Sequence, residues 1–438
     1  MCYTPSSKEY DLYMEGYKKR VADELLERKL KSKGAVLIEG AKWCGKTTTA
    51  EQSANSVLYM NEPSRMQQNL ILADMDPEVL LEGETPRLID EWQLAPKLWD
   101  AIRFSVDHRR QFGLYILTGS AVPSNLDEIH HTGTGRFSWL KMRPMSLYES
   151  GESSGEVSLT QLFDFPDKIV RGTSNLTLRE ISYLICRGGW PMSLDVPEDI
   201  ALQQALDYFD AVVKEDVSRV EGARKDTEFI KRLMRAYARV QGGQVSVETI
   251  IADLKSNEDI EYCNKTVSNY LKVLKKIFVI EDMEAWNPNL RSKAAIRTSD
   301  TRYFVDPSIA TAALGLGPGD LINDLETMGL LFETMAIRDL RVYSDLLDAS
   351  VYHYRDKNGL ECDAVIHRRN GSYGLIEIKL GGDKLISEGA KSLQKLASVI
   401  DVDKMKAPSF MMVLTANGDR AYKRPDGVLV VPIGCLKP

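Results

Sequence analysis

The sequence predicts an α/β protein of several domains, led by a mainly parallel sheet covered by helices. Three observations predict it. Residues 34–150 alternate short apolar runs with stretches of helical spacing. A glycine-bracketed loop, Gly40-Ala-Lys-Trp-Cys-Gly-Lys-Thr47, follows the first of those runs directly. Beyond Leu314, one helical stretch is followed by a series of strand-like runs, the pattern of a separate small α/β unit. Strands that alternate with helices and read as continuous apolar runs belong in a parallel sheet buried on both faces.

The elements follow in order. The chain has 438 residues, and at roughly 150 residues per domain two to four domains are expected. Arg20 to Lys33 has helical spacing, with Val21, Leu25, Leu26 and Leu30 on one side. Ala35–Ile38, Ser56–Tyr59, Arg87–Ile89 and Leu114–Leu117 read as buried strands, so residues 1–150 form the first domain. Residues 151–225 are less regular and read as a helical linker region. Within 226–313, helices are expected near Phe229–Arg239, Val247–Leu254 and Lys265–Ile277, with Gly242-Gly243 separating the first two. Strand-like pieces near Phe278–Glu284 and Arg302–Val305 follow, and three short helices with a hairpin make a winged helix-turn-helix. Leu314-Gly-Leu-Gly-Pro-Gly319 is linker-like and opens the last domain, 314–438. That domain starts with a helix from Asp324 to about Val342 and continues with strands around Val351, Cys362–His367, Gly374–Lys379, Ser409–Thr415 and Val428–Pro432.

Composition narrows the function classes. Hydrophobic residues make up 43% and charged residues 27%, ordinary for globular domains. A net charge of −7 excludes a generally basic surface, so any nucleic-acid contact must be a local patch. No secretory apolar region follows Met1, and no run of about 18 apolar residues occurs, so neither export nor a membrane span is expected. The six cysteines are scattered without a C-x₂-C pair, which argues against a zinc ribbon or a disulfide framework and fits a reducing cytoplasm.

The loop at 40–47 matches G-x-x-x-x-G-K-[ST] without a gap. Two glycines let the backbone curl round phosphates, and the helix that follows adds positive potential. Gly40, Ala41, Lys42, Trp43, Cys44, Gly45, Lys46, Thr47 and Thr48 are therefore the expected ATP contacts, with Lys46 on the β- and γ-phosphates and Thr47 on Mg²⁺. Asp90-Glu91 ends an apolar strand in the order expected after a P-loop. Asp90 is expected to support Mg²⁺ and Glu91 to activate water as a general base. Thr118 or Ser120, ending another strand, could lie between Glu91 and the γ-phosphate. Arg136 stands on a glycine-rich turn, either as an arginine finger reaching a neighbouring copy in a homo-oligomer or in a structural salt bridge. His130-His131 read as part of a solvated loop.

Together, Gly40–Thr47, Pro86-Arg-Leu-Ile-Asp-Glu-Trp-Gln93, Ile116-Leu-Thr-Gly-Ser120, Gly135-Arg136, Arg143-Pro-Met-Ser-Leu147 and Gly188-Gly-Trp-Pro191 resemble the prokaryotic AAA-type ATPases that carry a C-terminal domain of unknown function, number 4143. The resemblance covers almost the whole chain. It implies an AAA-like ATPase module, a winged-helix segment and a restriction-endonuclease-like last domain, and leaves the biological role open.

In that last domain Glu333, Asp363 and Glu377-Ile-Lys379 look like the D…E-x-K signature of restriction-endonuclease-like nucleases, with Glu333 as the acid on the helix. Residues i and i+2 of a strand share a face, so Glu377 and Lys379 point together. In this reading Glu333, Asp363 and Glu377 bind Mg²⁺ or Mn²⁺ and Lys379 polarises the attacking water. The alternative is that charges at a strand edge merely guard it against pairing. Hairpin register tests the idea. A two-residue turn on Asn370-Gly371 would set Asp363 opposite Ile378, whereas an odd loop sets it opposite Glu377 or Lys379. In the winged-helix region Lys265, Lys272, Lys275, Lys276, Arg291, Lys293, Arg297 and Arg302 form a local basic excess on an acidic chain, which suggests DNA phosphate contacts. A solvated helix face is the plainer reading. Competing readings of the whole chain are an ATP-dependent nucleic-acid enzyme and an ATP-switched DNA-binding or scaffold protein whose last domain does not cut.

Overall fold

The computed structural model describes residues 16–119, 132–217, 226–258, 262–287, 299–401 and 405–438. Ser120, His130, His131, Arg291, Lys293 and Arg297 lie outside the described residues.

The first helix, α1 (Val21–Leu30), buries Val21, Leu25, Leu26 and Leu30 on one face, as their spacing requires. It leads into β1 (Ala35–Glu39), α2 (Lys46–Glu51), β2 (Ser56–Tyr59), α3 (Met66–Met75), β3 (Arg87–Asp90), α4 (Leu98–Arg109), β4 (Tyr115–Gly119) and β5 (Phe137–Lys141). The sheet order is β2-β3-β4-β1-β5 and every pairing is parallel. Alternate residues of each strand enter opposite cores. Val36, Ile38, Leu88 and Ile116 join α1 on one face. Leu37, Ile89, Tyr115 and Leu117 meet Trp99 and Ile102 of α4 on the other. That double burial is why β1, β3 and β4 read as unbroken apolar runs, whereas β2, expected to be buried, lies at the sheet edge and is only partly buried, with Tyr59 exposed.

The strands β6 (Val157–Ser158) and β7 (Gly172–Thr173) precede α5 (Leu178–Arg187), α6 (Glu198–Ala211), α7 (Thr227–Val240), α8 (Val247–Glu258) and α9 (Asn264–Lys276). After α9 the chain pairs with itself in antiparallel fashion at Ile280–Phe304 and Met283–Thr301, then forms α10 (Pro307–Leu314). A 22-residue helix, α11 (Leu325–Leu346), opens the last part. It is followed by β8 (Ala349–Arg355), β9 (Glu361–Arg368), β10 (Tyr373–Lys379), α12 (Asp383–Val399), β11 (Phe410–Thr415), β12 (Arg420–Lys423), β13 (Leu429–Pro432) and β14 (Leu436–Lys437). The C-terminal sheet runs β7-β12-β13-β11-β10-β9-β8.

Two boundaries differ from the sequence expectation. Residues 151–225 are not a plain helical linker, because β7 pairs with β12 and β6 with β14. Ser153 Oγ and Ser154 N also donate to the carbonyls of Leu436 and Gly434. This stretch therefore extends the C-terminal sheet, a pairing that spans more than 240 residues and leaves no local signal. The remaining helices, α5 and α6, pack on α10 rather than standing apart from it. Gly188-Gly189-Trp190 is part of that joint: Gly189 N donates to Asp306, Trp190 Nε1 donates to Ser308 Oγ at 2.9 Å, and the indole stacks on Tyr208.

Buried ion pairs tie the parts together. Arg143, just past β5, reaches Glu281 at 2.8 Å and Asp345 of α11 at 2.7 Å. Arg338 of α11 lies between Asp306 and Asp339, and Asp339 also accepts from Leu147 N.

Candidate nucleotide site and C-terminal acidic centre

The P-loop is built by backbone constraint. At Gly40 a Cβ would lie 2.0 Å from the Met142 carbonyl oxygen, so no side chain fits. Trp43 (φ 63°) and Gly45 (φ 96°) take left-handed conformations that curl the loop back to the start of α2. Lys46 is buried, and its ammonium donates to the carbonyls of Gly40 (3.0 Å) and Ala41 (2.8 Å). The Cys44 thiol is buried against the Met142 carbonyl, while Thr48 is exposed. Lys42 is partly buried, and half-exposed Trp43 lies near Tyr208.

Strand order gathers the other residues. β4 lies between β1 and β3, with Thr118 in register with both Ile38 and Asp90. Thr47 Oγ1 donates to Asp90 Oδ1 at 2.7 Å, and Thr118 Oγ1 donates to the same oxygen at 2.5 Å. Glu91 follows at φ 56°, a left-handed kink that turns the chain out of β3. Burial and the Asp90 charge raise the Glu91 pKa, with Lys46 opposing them. The Gln93 carboxamide donates to Glu91 Oε2.

Sequence reasoning missed Arg20. Its buried guanidinium donates to the Cys44 carbonyl of the P-loop (2.8 Å), to Glu149 (3.1 Å) and to the Arg143 carbonyl (2.9 Å). One side chain thus braces the loop from below, and a lone arginine before a helix carries no local sign of that task. Arg136 lies elsewhere. Its carbonyl accepts from Ala35 N, so it sits at the amino end of β5, while the P-loop follows the carboxyl end of neighbouring β1. A five-residue strand separates those ends by about 15 Å. Arg136 is exposed and paired with Asp107 at 2.7 Å, so it takes no part in its own chain's site.

In the C-terminal part, Arg369-Asn370-Gly371 forms a three-residue loop closed by the Arg368 N to Ser372 O bond, with Gly371 at φ 83°. The printed register pairs Tyr373 with His367 and Ile376 with Ala364, and its continuation sets Glu377 opposite Asp363. This is the odd loop that the acidic pair requires. Lys379 Nζ lies 2.9 Å from Asp363 Oδ2 and 2.7 Å from Glu377 Oε2. Asp363 Oδ2 also accepts from Ile378 N at 2.7 Å. Burial, followed by the Asp363 charge, pushes Glu377 up to about 8, with Lys379 opposing. Glu333 is likewise pushed up to about 8 by burial and then by Asp363, and it accepts a hydrogen bond from Tyr303.

The expected metal ligand set of Glu333, Asp363 and Glu377 is not assembled: among the described residues no group of three His, Cys, Asp or Glu side chains could hold a metal ion. The Lys379 ammonium takes Asp363 and Glu377, and the Tyr303 phenol takes Glu333.

The basic residues near α9 divide. Lys265, Lys272 and Lys276 are exposed at helical spacing on one face. Lys275 and Arg302 instead pair with buried Asp282, so two of the anticipated phosphate contacts already hold a carboxylate, although Lys275 stays exposed. No helix among the described residues is long and apolar enough to cross a membrane.

Three family models match in sequence order: an AAA domain over residues 32–151, a domain of unknown function (DUF8612) over 178–320, and a domain of unknown function (DUF4143) over 328–436. With the parallel sheet and the P-loop, the first match defines the class: the chain carries an AAA-type P-loop ATPase domain, a fold that implies nucleotide and usually Mg²⁺. Its C-terminal part is a DUF4143 domain. No curated protein matches the chain. Among solved structures, the Walker-type ATPase PABY2304 of Pyrococcus abyssi is 15% identical, covering 68% of this chain and 97% of that one at a TM-score of 0.41. The Aeropyrum pernix ORC1 protein in complex with DNA is 13% identical, covering 71% and 92% at 0.20. The Pyrococcus furiosus Hef helicase domain is 11% identical, covering 92% and 90% at 0.20. These likenesses are remote in both sequence and shape.

Proposed function

We propose that this protein hydrolyses ATP and acts on nucleic acid, its C-terminal domain being a nuclease-like centre. The observation that carries the ATPase reading is the meeting of Lys46, Thr47, Asp90, Thr118 and Glu91 at the ends of adjacent strands. A buried ammonium whose hydrogen bonds go to neutral loop carbonyls fits an anionic guest, so Lys46 binds the ATP phosphates. The Thr47 hydroxyl and Asp90 carboxylate are hard oxygen donors, which fit Mg²⁺. When bound there, Mg²⁺ neutralises charge developing on the phosphates. Thr118 fixes the Asp90 carboxylate, and Glu91 takes the proton of the attacking water. From its position at the other end of β5, Arg136 serves a nucleotide only in a neighbouring copy, within a homo-oligomer. Lys46→Ala is expected to abolish ATP binding in a calorimetric titration, and binding at wild-type affinity would overturn this site.

Contact with nucleic acid is supported by the exposed Lys265, Lys272 and Lys276 stripe on α9, the third of three helices followed by antiparallel bridges, which we read as a winged helix. The nuclease-like reading is supported by Asp363 opposite Glu377 with Lys379 between them. A second reading, an ATP-switched DNA-binding or scaffold protein that does not cut, is favoured by the same lysine. It satisfies both carboxylates without a metal. The experiment is cleavage of single-stranded, duplex and branched DNA with Mn²⁺ and ATP by wild type and by Lys379→Ala, each first checked for ATPase activity. Cleavage by wild type alone supports the nuclease. Equal cleavage by both rules out the Asp363–Glu377–Lys379 centre, and no cleavage by either favours the switched binder.

A further inference from the structure

Glu91 does not stand alone at the end of β3. The chain turns sharply there, closed by the Leu94 N to Glu91 O bond at 3.0 Å. Trp92 is buried next to Trp99, with ring centroids 5.1 Å apart, and pins the turn to the core. The turn brings the Gln93 side chain back onto Glu91, where Nε2 donates to one carboxylate oxygen. The other end of the carboxamide, Oε1, is buried without a partner in the structure. It rests on the end of β4, where a Cβ on Gly119 would lie 2.6 Å from it. A side chain at residue 119 would push the Gln93 carboxamide out of this place.

We propose that Gln93 is a positioning residue for ATP hydrolysis: seated in the space Gly119 leaves open, its carboxamide holds the Glu91 carboxylate in place for the attacking water. The inference rests on the reading of Glu91 as the base. Donation to one oxygen fixes the carboxylate plane and leaves the other oxygen to accept the water proton. The bare Oε1 is a second acceptor beside the base. A buried unpaired acceptor is costly, and a water donating to it would remove that cost.

The test uses the full chain, steady-state ATP hydrolysis and a parallel ATP-binding titration. Gln93→Ala removes the contact. Gln93→Glu keeps the shape but has no donor when ionised. Gly119→Ala displaces the carboxamide from outside, and residue 119 has no positive φ to strain an alanine. All three are expected to lower kcat about tenfold or more with KM for ATP within about twofold. Wild-type kcat in Gln93→Glu, or equal loss of kcat and nucleotide binding in the three variants, would overturn the role. Glu91→Gln, run alongside, separates the failures. If Glu91→Gln is inactive while the Gln93 variants are normal, only this inference falls. If Glu91→Gln is fully active, the assignment of the base falls with it.

Discussion

Glu91→Gln is expected to bind ATP with its affinity within about twofold of wild type and to hydrolyse it about 10² to 10⁴ times more slowly, the usual contribution of a general base. The substitution keeps the volume and removes the proton acceptor. Lys46, Thr47 and Asp90, which hold the nucleotide in this reading, bond one another and the loop without using Glu91. Binding should therefore survive while chemistry fails. The pH profile gives an independent check. Burial and the Asp90 charge raise the Glu91 pKa, which brings the base closer to working pH. Glu91 acts only when ionised, so wild-type kcat should fall as pH drops through that raised value. The acid limb should be absent from the residual activity of Glu91→Gln. Single-turnover hydrolysis with a parallel binding titration measures both. A variant turning over at the wild-type rate would rule out Glu91 as the base.

Arg143→Met is expected to cost about 1–3 kcal/mol of stability, less than the loss of a fully buried pair because Asp345 is a third exposed and Glu281 keeps other cations. Its guanidinium is almost wholly enclosed and joins Glu281 of the central region to Asp345 of α11. Methionine fills most of the space but leaves two carboxylates without their shared cation. Arg341 and Lys141 remain near Glu281, 3.7 and 3.1 Å away, and compensate in part. Burial by itself would raise the Glu281 pKa, but Arg143 and Arg341 hold it well below the ordinary value of 4.5. A depressed carboxyl contributes stability that is present above its unfolded pKa and lost as pH falls through its folded one. The deficit of Arg143→Met should therefore be largest above about pH 4.5 and narrow in more acidic solution. Denaturant or thermal unfolding against pH reads this directly. Arg136→Ala, which removes an exposed pair, is the control and should leave the transition where it is. If both variants unfold like wild type, the ion pairs do not hold these parts together.

The sequence by itself determined the features that contiguous residues encode. The P-loop is legible because its glycines, lysine and threonine act within eight consecutive positions. The buried strands of the first sheet are legible because a strand covered on both faces must be apolar throughout. Side-chain alternation put Glu377 and Lys379 on one face, but the sequence left Asp363 opposite Ile378, Glu377 or Lys379, and only the three-residue loop at Arg369–Gly371 chose Glu377. The helices of the central region were legible within a few residues from their spacing.

Only the tertiary structure decided the rest. It placed Arg136 at the end of the sheet away from its own P-loop, paired Lys275 and Arg302 with Asp282, and occupied the three anticipated metal ligands with Lys379 and Tyr303. It also put Arg20 under the P-loop, gave Arg143 its two acids, and added Gly172-Thr173 to the C-terminal sheet. Arg20 meets Glu149 across 129 positions, Arg143 meets Asp345 across 202, and Arg420 pairs with Thr173 across 247. Partners that far apart leave no periodicity or spacing in a single sequence. A charged side chain reads the same whether it faces water, a phosphate or a buried carboxylate, and only folding assigns it one of the three.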